Sequence, residues 1–250
     1  MSPQWLIARK EAGELLLSGR GLAWLLGASL AMSAFALLLV SSTELSLLDN
    51  AQVVYDMLGI ATALAALLAM VVGIDAIGGE RERNTLIPLL LTPLRRNQII
   101  TGKMASIVIA WVALFVVALP YIWSVASTGQ NLGAGLLVTV VLGTPVILTF
   151  GYYGMWLGAG MAQLVSAYVV GLLTLMVAAS PLLLGPALRQ SVIGRIFDAI
   201  NPFSAAVNAY DAVVIDSMSL LSQWPGFIAA FLWLGLTFLL ARSRIRHLTV

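Results

Sequence analysis

The 250-residue chain has no cysteine, which excludes disulfides, thiolate metal sites and cysteine nucleophiles and leaves its compartment undetermined by redox chemistry. Its single histidine, His247, stands in a tail with Arg242, Arg244 and Arg246, a basic end suited to anionic headgroups rather than to catalysis. Charged residues make up only 10% of the chain. No GxxxxGK[ST], GxSxG or HExxH motif occurs, so the chain cannot hydrolyse ATP alone, and no pair of suitably placed groups supports an intramembrane enzyme. The basic residues sit at the ends of apolar runs and form no continuous stripe, which argues against nucleic acid as a partner.

What the chain has in abundance is apolar surface. With 60% hydrophobic residues and a mean hydropathy of +0.99, it is too apolar for a water-soluble globule and reads as an all-α integral membrane protein. A span needs roughly 20 apolar residues to cross about 30 Å of hydrocarbon. Six stretches qualify, near Gly21–Val40, Met57–Ile77, Met104–Ser127, Ala134–Trp156, Val165–Pro186 and Pro225–Ala241. The first lacks a small-residue cleavage site and reads as a retained span rather than a signal peptide. Six spans put both termini on one side, and eleven of the thirteen Lys and Arg residues fall there, which predicts cytoplasmic N and C termini. No internal repeat or flexible linker interrupts residues 1–250, which read as a single transmembrane domain.

Each connection has its own character. Residues 3–18 set Trp5, Ala8, Ala12, Leu15 and Leu16 opposite Lys10, Glu11, Glu14 and Ser18, the pattern of an interfacial elbow helix, with a helical extension of the first span as the alternative. Short links make spans three to five adjacent antiparallel hairpins. Gly154 and Gly158 form a GxxxG pair for close packing within the chain or between copies. Pro120 and Pro145 lie inside apolar runs and predict kinks. Between spans five and six, the segment around VIGRIFDAINPFSAAVNAYDAVV predicts two short helices broken at Asn201-Pro202, with Arg195, Asp198, Asn201 and Asp211 staying wet. Asp75, one turn inside the second span, is a lone carboxylate, too little for an ion-driven carrier. Energy for transport is therefore expected from another subunit.

The second loop is the most distinctive segment. Residues 79–103, GERERNTLIPLLLTPLRRNQIITGK, are charged and punctuated by proline between two apolar runs. Leu86, Leu89 and Leu90 offer an apolar ridge at i, i+3 and i+4, flanked by Glu80, Arg81, Glu82 and Arg83. In Glu80, Arg81, Glu82, Arg83, Thr85, Leu86, Leu89 to Leu91, Thr92, Pro93, Gly102 and Lys103, this stretch resembles the signature of ABC-2 type transporter permeases. Two positions depart from that pattern: Asn84 stands where a glycine often precedes the threonine, and Pro88 interrupts the leucine block, which predicts a shorter or later loop helix.

The resemblance implies the membrane subunit of an ATP-driven exporter, similar to permeases of nitrous oxide reductase maturation, sodium extrusion and gliding motility systems. It implies an elbow helix, a cytoplasmic coupling helix between spans two and three, and an outer re-entrant helical hairpin marked by Asn201, Pro202 and Phe203. Glu80, Arg81, Glu82, Arg83, Thr85, Leu86, Leu89 and Leu90 would meet a cytoplasmic ABC ATPase present in two copies, which carries the ATP and Mg; this chain would bind no cofactor. A second permease chain would complete the assembly in the bacterial inner membrane, amid membrane lipid. Spans one, two and five would border the pathway, with Thr62, Met70, Ser166, Tyr168 and Thr174 as candidate lining residues and an apolar or amphipathic cargo. The alternative is a scaffold that anchors an extracytoplasmic partner and transports nothing, with Asp198, Asp211 and Asp216 supplying its binding surface.

Overall fold

The computed structural model describes residues 3–41, 50–91, 95–126, 131–182 and 191–246. The chain is all-α, with no strand among the described residues. Among these residues six helices are long and apolar enough to cross a membrane: Gly21–Leu39, Ala51–Glu82, Asn97–Ser124, Leu132–Gly160, Leu164–Leu182 and Leu220–Arg246. Helix α1 (Pro3–Leu17) precedes them and packs along the third span. It is separated from α2 (Gly19–Ser41) by Ser18, whose hydroxyl oxygen accepts the N–H of Gly21 and caps the new helix. The face α1 turns inward carries Ala8, which is buried, and Glu11, while Trp5 is exposed. The packed face thus keeps Ala8 of the expected apolar side, adds Glu11, which has an ionic partner inside, and leaves Trp5 out.

Helix α3 (Asn50–Ile74) is the axis of the bundle. Its most apolar window is 67% buried, against 17% for the first and last spans, so α3 is enclosed by the others. It continues through a π turn at Asp75–Gly79 and a last turn at Glu80–Glu82, which carries the helix past the end of its apolar run. The short helix α4 (Leu86–Leu90) follows, then α5 (Arg96–Ala126). On α5, Ile107, Ala110, Leu114, Ala118 and Ile122 form one buried stripe at helical spacing. Helix α5 runs through Pro120.

The fourth span, α6, starts as Leu132–Val138, passes through a π turn at Thr139–Gly143 and continues as Thr144–Gly160. Pro145 sits just after that turn, where the wider helical loop accommodates a residue that lacks an N–H. Helix α6 meets α3 along a glycine seam. A Cβ on Gly73 would lie 2.2 Å from the Gly151 carbonyl oxygen, and one on Gly154 would lie 2.3 Å from that of Met70. The GxxxG pair is therefore used inside the chain.

Helix α7 (Leu164–Ala179) is followed by α8 (Val192–Ile200) and α9 (Pro202–Tyr210), then by α10 (Trp224–Arg246). The break between α8 and α9 falls at Asn201, as the sequence predicts, with Pro202 opening the second helix. The two halves differ: α8 buries none of its residues, while α9 buries Phe203 through Val207, Ala209 and Tyr210 against α3, α6, α7 and α10.

Candidate functional site

The end of the bundle that collects the basic side chains is built from the second loop inward. Glu80, at the last turn of α3, is buried. One carboxylate oxygen accepts the Thr85 hydroxyl, and the other lies 3.4 Å from Nζ of Lys103 on α5. The backbone N–H of Thr85 also donates to the Glu80 carbonyl at 2.9 Å, which folds the loop back on the helix. Asn84 completes the turn with φ of 57°, the left-handed region that asparagine tolerates better than most residues and glycine best. This is the position where the resemblance placed a glycine.

Two arginines fasten the loop to its surroundings. Arg81 donates from Nη2 to the Ala159 carbonyl at 2.9 Å and from Nη1 to that of Met161 at 2.8 Å, satisfying open carbonyls at the C-terminal end of α6. Arg244 reaches the same end from α10, with its guanidinium 5.6 Å from the Trp156 ring centroid. Arg83 pairs with Asp75 at 2.6 Å. That hydrogen bond, and then the charge of Asp75, raise Arg83 above its ordinary pKa. Gly79 leaves room for the pair, since a Cβ there would meet the Asp75 carboxylate at 2.1 Å.

Glu80 and Arg81 are thus spent inside the chain and Arg83 on Asp75, while Glu82 is exposed. Leu86 turns inward at 9% exposure; Ile87, Pro88 and Leu91 face out, with Ile87 at 53% and Leu91 at 70%. Leu89 and Leu90 complete α4 in the backbone, but their side chains, with Thr92 and Pro93, lie outside the described residues.

Above this end, α2, α3 and α7 wall two adjoining half-open cavities of about 470 and 670 Å³. Trp24, Val71, Asp75, Arg83 and Tyr168 line both. The larger adds Leu67, Met70 and Leu172, and the smaller adds Glu11 and Glu14 from α1. Among the lining candidates, Met70 and Tyr168 meet here. Thr62 is elsewhere, fully buried, with its hydroxyl 2.7 Å from that of Tyr210. Thr174 bonds to the Tyr153 hydroxyl at 3.1 Å, and Ser166 is exposed beside Gln163.

At the opposite end, Asn201 holds the α8–α9 pair. Its Oδ1 accepts the Phe203 N–H at 3.0 Å, and its Nδ2 donates to the Ala178 carbonyl of α7 at 2.7 Å. Asn201 is buried rather than wet, because every polar bond it makes is to protein backbone. Pro202 follows at the first helical position, and Phe203 packs edge-on against Phe150 of α6.

The sequence pattern described as ABC-2 family transporter protein matches residues 5–245, nearly the whole chain. The chain belongs to that family. Two curated relatives are probable ABC transporter permease proteins named NosY. The one from Stutzerimonas stutzeri is 35% identical over 108 residues, 41% of this chain and 38% of the relative. The one from Pseudomonas aeruginosa is 39% identical over 107 residues, 40% of this chain and 36% of the relative. The match thus spans less than two fifths of either relative.

This chain is therefore an ABC-2 family transporter protein, with six helices among the described residues that are long and apolar enough to cross a membrane. Sequence reasoning missed the pairing of Glu11 with Lys103 across α1 and α5, and the exposed Ile87 and Leu91. Lys103 was visible in the signature, but its partner was not, because Glu11 lies 92 residues away in the chain. Trp24 was hidden for another reason: within an apolar run, nothing distinguishes a cavity wall from a lipid-facing position.

Proposed function

We propose that this chain is the permease subunit of an ATP-driven ABC-2 exporter, energised by two copies of a separate cytoplasmic ATPase and completed by a second permease chain. The observation that carries the reading is the second loop. It presents the short helix α4 with Ile87, Pro88 and Leu91 outward, yet Glu80, Arg81, Arg83 and Leu86 tie it to the bundle. An element that is apolar at its tip and fastened at its root can accept a partner's push and pass it inward. ATP and Mg belong to the partner, because the chain carries no phosphate-binding loop. The excess of Lys and Arg at this end supports its placement in the cytoplasm, with both termini beside it, in a bacterial inner membrane.

In this reading α4 is the coupling helix, Glu82 and Arg95 meet charges at the rim of the ATPase groove, and Ile87 and Leu91 fill its apolar floor. Helix α1 is the elbow, and α8 with α9 is the outer hairpin. The cavity walled by Trp24, Leu67, Met70, Tyr168 and Leu172 is the inner mouth of the pathway. Its aliphatic and aromatic walls beside the Asp75–Arg83 pair suit an amphipathic cargo. The relatives' name, probable ABC transporter permease, supports the permease part of this reading alone.

Affinity purification of the tagged chain from native membranes in mild detergent, followed by mass spectrometry, tests the reading. Recovery of a P-loop ATPase together with ATP hydrolysis is the expected result. Recovery of outer-surface proteins alone would favour a scaffold that anchors an extracytoplasmic partner.

A further inference from the structure

Lys103 lies in the third turn of α5 with only 1% of its side chain exposed. Its ammonium sits between two carboxylates, 2.8 Å from Glu11 on α1 and 3.4 Å from Glu80 at the end of α3. Both partners are nearly enclosed, with side chains 16% and 11% exposed. Glu80 in turn holds the hydroxyl of Thr85, the residue that leads into α4. One buried cation therefore connects α1 to the loop through the series Glu11, Lys103, Glu80 and Thr85.

Buried ion pairs seldom add more stability than well-packed apolar groups of the same size, but removing one member leaves an uncompensated charge. Such a set fixes register strongly and resists separation. Here it registers α1, whose Trp5 and Leu6 are exposed, onto α5. The connection goes further: α1 joins α2 through the single residue Ser18, and α2 carries Trp24 in the wall of both cavities. Glu11 itself lines the smaller cavity.

We propose that Lys103 is a positioning residue that ties α1, and through it the first-span wall of the cavity, to the α4 loop. Movement of the loop then reaches span one through α1 as well as span two through α3. The inference rests on the reading of the loop as the ATPase contact. Its test needs no ATPase, so a failure here is separate from a failure to recover one.

The test is hydrogen–deuterium exchange of the purified permease in nanodiscs, comparing wild type with Glu80→Gln, Glu11→Gln, Lys103→Met and Lys103→Arg. Glu80 belongs to α3 and reaches Glu11 through Lys103. Glu80→Gln is nevertheless expected to speed exchange in α1 by about tenfold, the scale of one charge-assisted hydrogen bond. Glu11→Gln is expected to do the same in residues 83–90. Lys103→Met should loosen both segments, with no further loosening of α1 when Glu80→Gln is added, and Lys103→Arg should retain most of the wild-type protection. Effects confined to α1 for Glu11→Gln and to the loop for Glu80→Gln would overturn the proposal. If Lys103→Met does not accumulate, the two single carboxylate variants and Lys103→Arg decide the question.

Discussion

A Cβ placed on Gly158 of α6 would lie 2.4 Å from the carbonyl oxygen of Ile74 on α3. The contact is backbone against backbone, so no rotamer change relieves it. With Gly73 and Gly154 it sets the distance between the most enclosed helix and the fourth span. The loop at the basic end depends on this distance, because Arg81 at the end of α3 reaches carbonyls at the end of α6.

Gly158→Ala is therefore expected to destabilise the protein by about 2 to 3 kcal/mol, the scale of overpacking in a closed core. Gly133→Ala, with open space around it, is the control and should cost almost nothing. Thermal unfolding in detergent checks both.

The Thr62–Tyr210 hydroxyl pair should behave as a unit. Tyr210→Phe removes the bond between α9 and α3 and is expected to cost about 1 to 2 kcal/mol. Adding Thr62→Val should cost less than the sum of the two single changes, because both lose the same contact. A double-mutant cycle on thermal stability measures the shortfall.

Asn201 carries two separable bonds. Asn201→Ala loses the cap of α9 and the tie to α7, and is expected to cost about 2 kcal/mol. Asn201→Asp keeps the capping oxygen but sets a buried carboxylate oxygen against the Ala178 carbonyl, so at neutral pH it should be at least as destabilising as the alanine variant. Amide exchange across residues 202–210 distinguishes the three.

Leu86 and Ile87 are neighbours with opposite roles. Leu86→Asp buries a charge and should lower thermal stability, so a loss of ATPase binding in that variant would say little about the contact surface. Ile87→Asp leaves the fold intact and is expected to reduce ATPase co-purification by about tenfold or more, the scale of an apolar anchor. Unfolding temperature and recovered ATPase, measured on the same preparations, separate the two effects.

The six spans were legible because apolar length is a strong signal, and the Asn201-Pro202 break was legible because proline restricts the residue before it. Helix ends were less so. Span two extends from the expected Ile77 to Glu82, since the backbone keeps its hydrogen bonds through Asp75–Gly79 after the apolar run has ended. The charged signature was legible as a segment, but the direction of each side chain was not. Glu80, Arg81 and Leu86 read as surface residues and turn inward, because their partners come from Lys103, from the end of α6 and from the core. Contacts between residues so distant in the chain leave no local pattern.

The absence of cysteine allows the central claim to be tested in the membrane with single introduced thiols. Cysteine placed at Ile87, at Leu91 and, at the opposite end, at Ile193 would be treated with a short bifunctional cross-linker in native membranes, with and without vanadate-trapped nucleotide. The account predicts adducts to a P-loop ATPase from residues 87 and 91 whose yield changes with nucleotide, and none to that protein from residue 193. Absence of an ATPase adduct at residues 87 and 91, together with nucleotide-independent adducts to another protein at residue 193, would contradict it.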